Sequence, residues 1–260
     1  MADLENPYRP PASHVADVLD DAAPDGSYIE GGRAVDSGHG WAWLRDAWSL
    51  FRRHAGMWIV LGIVFFLIFI AMALVPILGT FALILLGPVF VAGLMVGCQT
   101  VARGGDLELA HLFAGFRRNT GQLMLIGVLG FVLTVVAMIP MTLVMGIGAF
   151  IGVASTPTLA GFGAGMLLAL LLSLALFIPI NMAMWFASAL VMLQDQSAPR
   201  AIGQSFRGCL KNLVPFLVYG VILFVLAMLA AIPFGLGWLV LAPVVLCSIY
   251  TAYRDIFFTA

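Results

Sequence analysis

Asp, Glu, Lys and Arg are absent from residues 57 to 102, from 119 to 194 and from 212 to 253. Each window is far longer than the roughly 20 residues one helix needs to cross a hydrocarbon core of about 30 Å. Each must therefore cross and return, which predicts two spans per window and six in all. The returns fall at turn residues: Pro76-Ile77-Leu78-Gly79, Ser155-Thr156-Pro157 and Phe234-Gly235-Leu236-Gly237. The predicted spans lie near 57–76, 80–101, 121–151, 162–193, 213–233 and 237–253. The middle two are over-long and must tilt, kink or extend past the bilayer.

Composition agrees. Charged residues make up 10% of the chain and hydrophobic residues 62%, with a mean hydropathy of +1.07. A soluble domain carries about 25% charged residues, so these few could not cover its surface in water. Residues 1–40 differ from the rest, with eight acids against two bases, while 41–260 hold ten bases against five acids. The first forty residues have no basic n-region and no apolar h-region, so no signal peptide is expected. Being rich in Pro, Gly, Asp and Ala, they are read as a disordered acidic tail, with Pro7, Pro10 and Pro11 in extended backbone. The membrane domain then covers 41–260.

The three expected hairpin turns carry no charge, and every Lys and Arg after residue 40 lies on the opposite side. The positive-inside rule makes that side cytoplasmic, with both termini there.

Each hairpin follows a short amphipathic segment, and the three segments align without gaps on Arg53, Arg118 and Lys211. A polar residue follows each anchor: His54, Asn119 and Asn212. Upstream lie Leu44, Trp48 and Phe51 in the first copy, Leu109, Phe113 and Phe116 in the second, and Ile202, Phe206 and Cys209 in the third. Their spacing of four and three places them on one helical stripe. A proline (Pro76, Pro140, Pro233) follows the anchors after 23, 22 and 22 residues, and each returning span carries another: Pro88, Pro179 or Pro243. The expected fold is thus an all-α membrane bundle of three parallel repeats, about 41–103, 106–195 and 198–257, each an interfacial helix plus a helical hairpin. A pseudo-threefold axis would run along the membrane normal. In 41–54, Trp41, Leu44, Trp48 and Phe51 are expected to form the apolar face of an interfacial helix, with Arg45, Arg52 and Arg53 projecting elsewhere, Trp at the headgroup level and the arginines meeting anionic lipid there. Asp106 stands where a cap for the second segment belongs.

Asn6-Pro7-Tyr8-Arg9-Pro10-Pro11, Leu85-Leu86-Gly87-Pro88, the run from Gly104 to Asn119 and the closing Tyr253-Arg254-Asp255-Ile256-Phe257 carry a family likeness. Over essentially the whole chain the sequence resembles a family of bacterial inner-membrane proteins that has no assigned activity. More loosely it resembles the membrane domain accompanying some glycerophosphodiester phosphodiesterases, on hairpin pattern alone. The resemblance implies location and topology and transfers no catalytic residue.

Within the predicted spans there is no Asp, Glu, Lys, Arg or His, which argues against a proton-coupled pump. Asn181, two residues after Pro179, is the candidate intramembrane polar site; bonding a neighbouring helix or a backbone carbonyl is the commoner use of such an amide. Gly93 and Gly97, Gly148 and Gly152, and Gly161 and Gly165 have the spacing that permits close helix contact. Cys98, Cys209 and Cys247 are far apart in sequence and form no C-x-x-C pair, so neither disulfide nor metal is expected. No motif for a cofactor, a nucleophile or nucleic acid is present. An enzyme acting on lipid would have to rely on His54, Glu108, His111 and Asp195 at the charged interface.

The expected function is a non-enzymatic module that binds membrane lipid or a protein partner from the cytoplasmic face. The contact residues would be Arg52, Arg53, Arg117, Arg118, Arg207 and Lys211. The alternative is a facilitator for neutral or lipidic substrates along the pseudo-threefold axis, where proline-kinked helices can leave a cavity.

Overall fold

The computed structural model describes residues 26–154 and 159–259, with side chains described outside 144–166 and 168–169. Pro7, Pro10 and Pro11, the motif beginning at Asn6, and the Ser155-Thr156-Pro157 turn lie outside the described residues, as do any side-chain contacts around Gly148, Gly152, Gly161 and Gly165.

Among the described residues the chain forms nine α-helices and one 3-10 segment. They are α1 (His39–Arg53), α2 (Ala55–Ala73), α3 (Leu78–Ala102), the 3-10 segment Leu109–Phe116, α4 (Thr120–Ala154), α5 (Leu159–Trp185), α6 (Ala187–Gln194), α7 (Ala198–Lys211), α8 (Leu213–Ala231) and α9 (Trp238–Phe257). Six stretches are long and apolar enough to cross a bilayer: 55–73, 78–102, 120–143, 170–194, 213–231 and 238–257. These are the six that the charge-free windows predict. Half of the α9 stretch and 44% of the α3 stretch are buried, against 11% for α2 and 17% for α8. Thus α3 and α9 form the middle of the bundle, and α2 and α8 present Phe66, Leu67, Leu217 and Phe224 outward. Large apolar side chains on the outside are what a lipid solvent permits.

Two turns fall where turn residues predict them. Ile77 (φ 62°) reverses the chain after α2, and Phe234 (φ 53°) with Gly235 (φ 81°) does so after α8. Pro88, Pro140, Pro179 and Pro243 sit inside helices without ending them. The break in the fourth span comes instead at Phe186, between α5 and α6. There the buried Ser205 hydroxyl of α7 accepts from the Phe186 N–H at 2.9 Å and donates to the Met182 carbonyl at 2.7 Å. It is inserted between a donor and acceptor that would otherwise bond each other, one of the few causes of a sharp helix kink.

The structure corrects three expectations. Residues 26–38 belong to no disordered tail: they form a strap along the end of α9. Ile29 donates to the Phe257 carbonyl and Arg33 to the Ile256 carbonyl, both at 2.8 Å, and Tyr28 bridges Phe258 in antiparallel fashion. Gly26 and Gly32, part of the composition that looked like a disorder signal, permit this close approach. Gly32 has φ 67°, and a Cβ there would lie 2.7 Å from the Ile256 side chain.

The α1 helix does not turn Trp41, Leu44, Trp48 and Phe51 outward together. It buries Trp43, Leu44, Ala47, Leu50 and Phe51 against the bundle and leaves only Trp41 and Trp48 exposed.

The second amphipathic segment is a 3-10 segment rather than an α-helix, so its buried stripe is Leu112 and Gly115, and Leu109, Phe113 and Phe116 are exposed. It is capped by Glu108, whose side chain accepts from the segment's own backbone; Asp106 is exposed and caps nothing. The segment lies on the Gly93 and Gly97 stripe of α3, where a Cβ on Gly93 would come within 2.5 Å of the His111 carbonyl. Close approach at these two glycines is thus realised by a 3-10 segment.

Cys98 and Cys247, far apart in sequence, are free thiols that meet in the core with their sulfurs 3.8 Å apart.

Candidate functional site

The six apolar stretches leave one end of the bundle for the charged residues, and contacts there tie helix starts to helix ends. Arg53, closing α1, donates to the Val101 carbonyl in the last turn of α3 at 3.2 Å. Arg118 pairs with Asp195, and Asn119 donates to the Val191 carbonyl at 3.0 Å and to the Asp195 carboxylate at 2.7 Å. Lys211 donates to the Gly32 carbonyl at 2.6 Å. Asn212, fully buried, accepts from the Val35 N–H and donates to the carbonyls of Arg33 and Gly208, all at 2.8 Å. Cations near helix C-termini are favoured by the free carbonyls and the macrodipole.

The last turn of α9 is different, because Asp255 puts an acid where the macrodipole disfavours one. Three donors compensate. Arg33 reaches Oδ1 at 2.9 Å and also donates from Nε to the Asp255 carbonyl at 2.8 Å. His39 Nδ1 lies 2.7 Å from Oδ2, and the Trp43 indole donates to the same oxygen at 2.7 Å. The strap and α1 are both fastened to α9 through this one carboxylate.

Beside this knot opens a cavity of about 770 Å³ between α1, the end of α3 and the end of α9. Its polar wall includes Arg33, Arg45, Arg53, Arg103 and Arg254, with Asp46 and Asp255 as the acids. Arg254 stacks on the Phe258 ring, 4.9 Å from its centroid. The α1 helix thus has three edges: Trp43, Ala47 and Leu50 pack inward, Trp41 and Trp48 stand exposed, and Asp46, Ser49 and Arg53 face the cavity.

Of the contact residues expected from the sequence, only Arg53 lines this cavity. Arg52 and Arg117 are exposed elsewhere, Arg118 and Lys211 hold the contacts above, and Arg207 is exposed beside Gly31. Asn181 is exposed and donates to the Phe177 carbonyl of its own helix at 2.8 Å. Of the four groups weighed for lipid chemistry, Glu108 and His111 share a capping box, while His54 and Asp195 stand in separate contacts. His54 lies 4.0 Å from the exposed Asp106. His111 Nδ1 accepts from the Glu108 N–H at 2.9 Å in a capping box. Asp195 is held by Arg118 and Asn119.

Sequence reasoning missed Arg33, His39 and Asp255 as a unit, used Arg103 for orientation, and used Arg254 for orientation and in the closing motif of the family likeness. The available signal was Asp255 itself, an acid of the wrong sign in a helix's last turn. Away from the spans, burial pushes the Tyr28 hydroxyl pKa up, partly opposed by the Gln196 amide that donates to it at 2.7 Å. Burial also pushes the Cys209 thiol up to about 12.

A probable inner membrane protein of Burkholderia thailandensis is 27% identical over 255 aligned positions, covering 86% of this chain and 92% of that protein. With six apolar helices of spanning length, that relative decides the location. The chain is a multi-pass inner-membrane protein. No protein-family model matches it, and no solved structure matches it.

Proposed function

We propose that this protein is a non-catalytic membrane module that binds an anionic lipid or a protein partner at its cytoplasmic face. The observation that carries this reading is the gathering of its cations at one end of the bundle, around an open, arginine-walled cavity. With the positive-inside rule, that end is cytoplasmic and both termini lie there. Exposed Trp41 and Trp48 beside Arg45 and Arg52 fit the headgroup level of the inner leaflet. The arginine-walled cavity sits at helix ends, a place that suits binding from one face more than passage along a central axis. Likeness to the phosphodiesterase-associated membrane domain brings no activity to this reading.

The parallel threefold repeat belongs to the same proposal. It is supported by the way the anchors are used: Arg53 bonds the last turn of α3, Arg118 and Asn119 bond the end of α6, and Lys211 and Asn212 bond the strap laid along the end of α9. In the third unit the strap stands between anchor and helix end.

Two experiments test the reading. Reporter fusions at both termini should report the cytoplasm; an external terminus reverses the orientation. Neutralising Arg52, Arg53, Arg117 and Arg118 together should strip lipid or protein that co-purifies in mild detergent. An unchanged complement of both would end the binding reading.

A further inference from the structure

Five arginines against two aspartates leave three positive charges in excess in the cavity wall. The bland use of such arginines is to balance helix ends. Here α1, α3 and α9 all finish at the cavity, and each C-terminus carries about half a negative charge, so helix ends account for about one and a half units. A net positive balance remains. Neither aspartate offsets it further: Asp255 is consumed by Arg33, His39 and Trp43, and Asp46 is paired with Arg45 at 2.9 Å.

Arg53 spends one donor on the Val101 carbonyl. A guanidinium carries five N–H donors in a fork that matches phosphate oxygens. Arg103, exposed at the end of α3, faces the same space, and Ser49 supplies a hydroxyl to the wall. The volume of about 770 Å³ lies within the range of small-molecule sites and leaves room for more than a phosphate group. The adjoining edge of α1 carries exposed Trp41 and Trp48, the residue type that settles at headgroup depth, so a lipid phosphate can reach the cavity from the side.

We propose, resting on the binding reading above, that this cavity holds one anionic phosphate ester, the headgroup of a glycerophospholipid, with Arg53 and Arg103 as its phosphate ligands. Asp255 with Arg33, His39 and Trp43 forms the rigid wall that positions α1 against α9.

Full-length protein in detergent is titrated with dihexanoyl phosphatidylglycerol, with dihexanoylglycerol (the same tails without phosphate) and with glycerol 1-phosphate (phosphate without tails). Intrinsic tryptophan fluorescence, to which Trp43 at the cavity wall contributes as one of six tryptophans, and calorimetry read binding. The phospholipid should bind, the phosphate-free lipid should not, and Arg103→Gln should weaken phospholipid binding about tenfold. Arg103→Lys, which keeps the charge, should recover part of it, and the unliganded melting temperature of each variant checks folding. Glycerol 1-phosphate binding as tightly as the lipid upholds the phosphate site and assigns it a soluble ester. Equal binding by Arg103→Gln and wild type, or equal binding of dihexanoylglycerol, overturns the proposal. Arg200→Gln, on α7 outside the cavity and outside the expected contact residues, should titrate as wild type. If Arg52→Gln/Arg117→Gln loses co-purifying lipid while Arg103→Gln keeps it, the general binding reading stands and the cavity does not.

Discussion

Trp43 and Asp255 lie 212 positions apart, yet the buried indole donates to the carboxylate at 2.7 Å and joins the first helix to the last. Because Arg33 and His39 meet the same carboxylate, the strap, α1 and α9 share one fastening. Trp43→Phe keeps most of the ring packing and removes one donor. It should lower stability by about 1–3 kcal/mol, and Asp255→Asn, which turns an acceptor into a donor facing other donors, should cost more. Thermal unfolding in detergent measures both.

Asn212 and Asn181 look alike in sequence, each a lone amide beside an apolar stretch. Asn212 is fully buried and makes three hydrogen bonds, while Asn181 is exposed and bonds its own helix. Asn212→Ala leaves the Val35 N–H and two carbonyls without that partner and should cost about 2–3 kcal/mol. Asn181→Ala should change stability by no more than about 0.5 kcal/mol. Paired melting curves separate the two.

Glycine has opposite meanings at two helical positions. A Cβ on Gly93 would press on the backbone carbonyls of His111 and Leu112 at 2.5 and 2.7 Å, whereas Gly203 has nothing within 4 Å. Gly93→Ala must push the 3-10 segment away and should destabilise by about 1–3 kcal/mol. Gly203→Ala removes only backbone freedom and should stabilise by about 0.5–1 kcal/mol. The sign of the shift in melting temperature is the readout.

Cys209 is buried on α7, and its pKa is pushed up to about 12 from 9.0. A raised thiol pKa lowers the thiolate fraction at any pH below it, and the thiolate is the nucleophile. Iodoacetamide at pH 8 should therefore leave Cys209 unmodified in the folded protein and label it after denaturation. Peptide mass spectrometry after each treatment checks this.

Sequence alone was enough for the number and approximate position of the spans. Charge-free windows and turn residues act locally, and each follows from the cost of putting a charge or a bare backbone group into hydrocarbon. Two of the three turns, at Ile77 and Phe234, fall inside the predicted turn segments for that reason.

Tertiary structure decided how those elements meet. The glycines of residues 26–38 read locally as freedom, and only contact with Ile256 shows that they let a strap pass close to α9. The fourth span breaks at Phe186 because of Ser205, a hydroxyl from another helix, and Asp255 becomes a fastening because Arg33, His39 and Trp43 arrive from more than 200 positions away. A periodic pattern reports which solvent a residue meets. Which partner satisfies a buried donor or carboxylate depends on distances that no pattern within one segment contains.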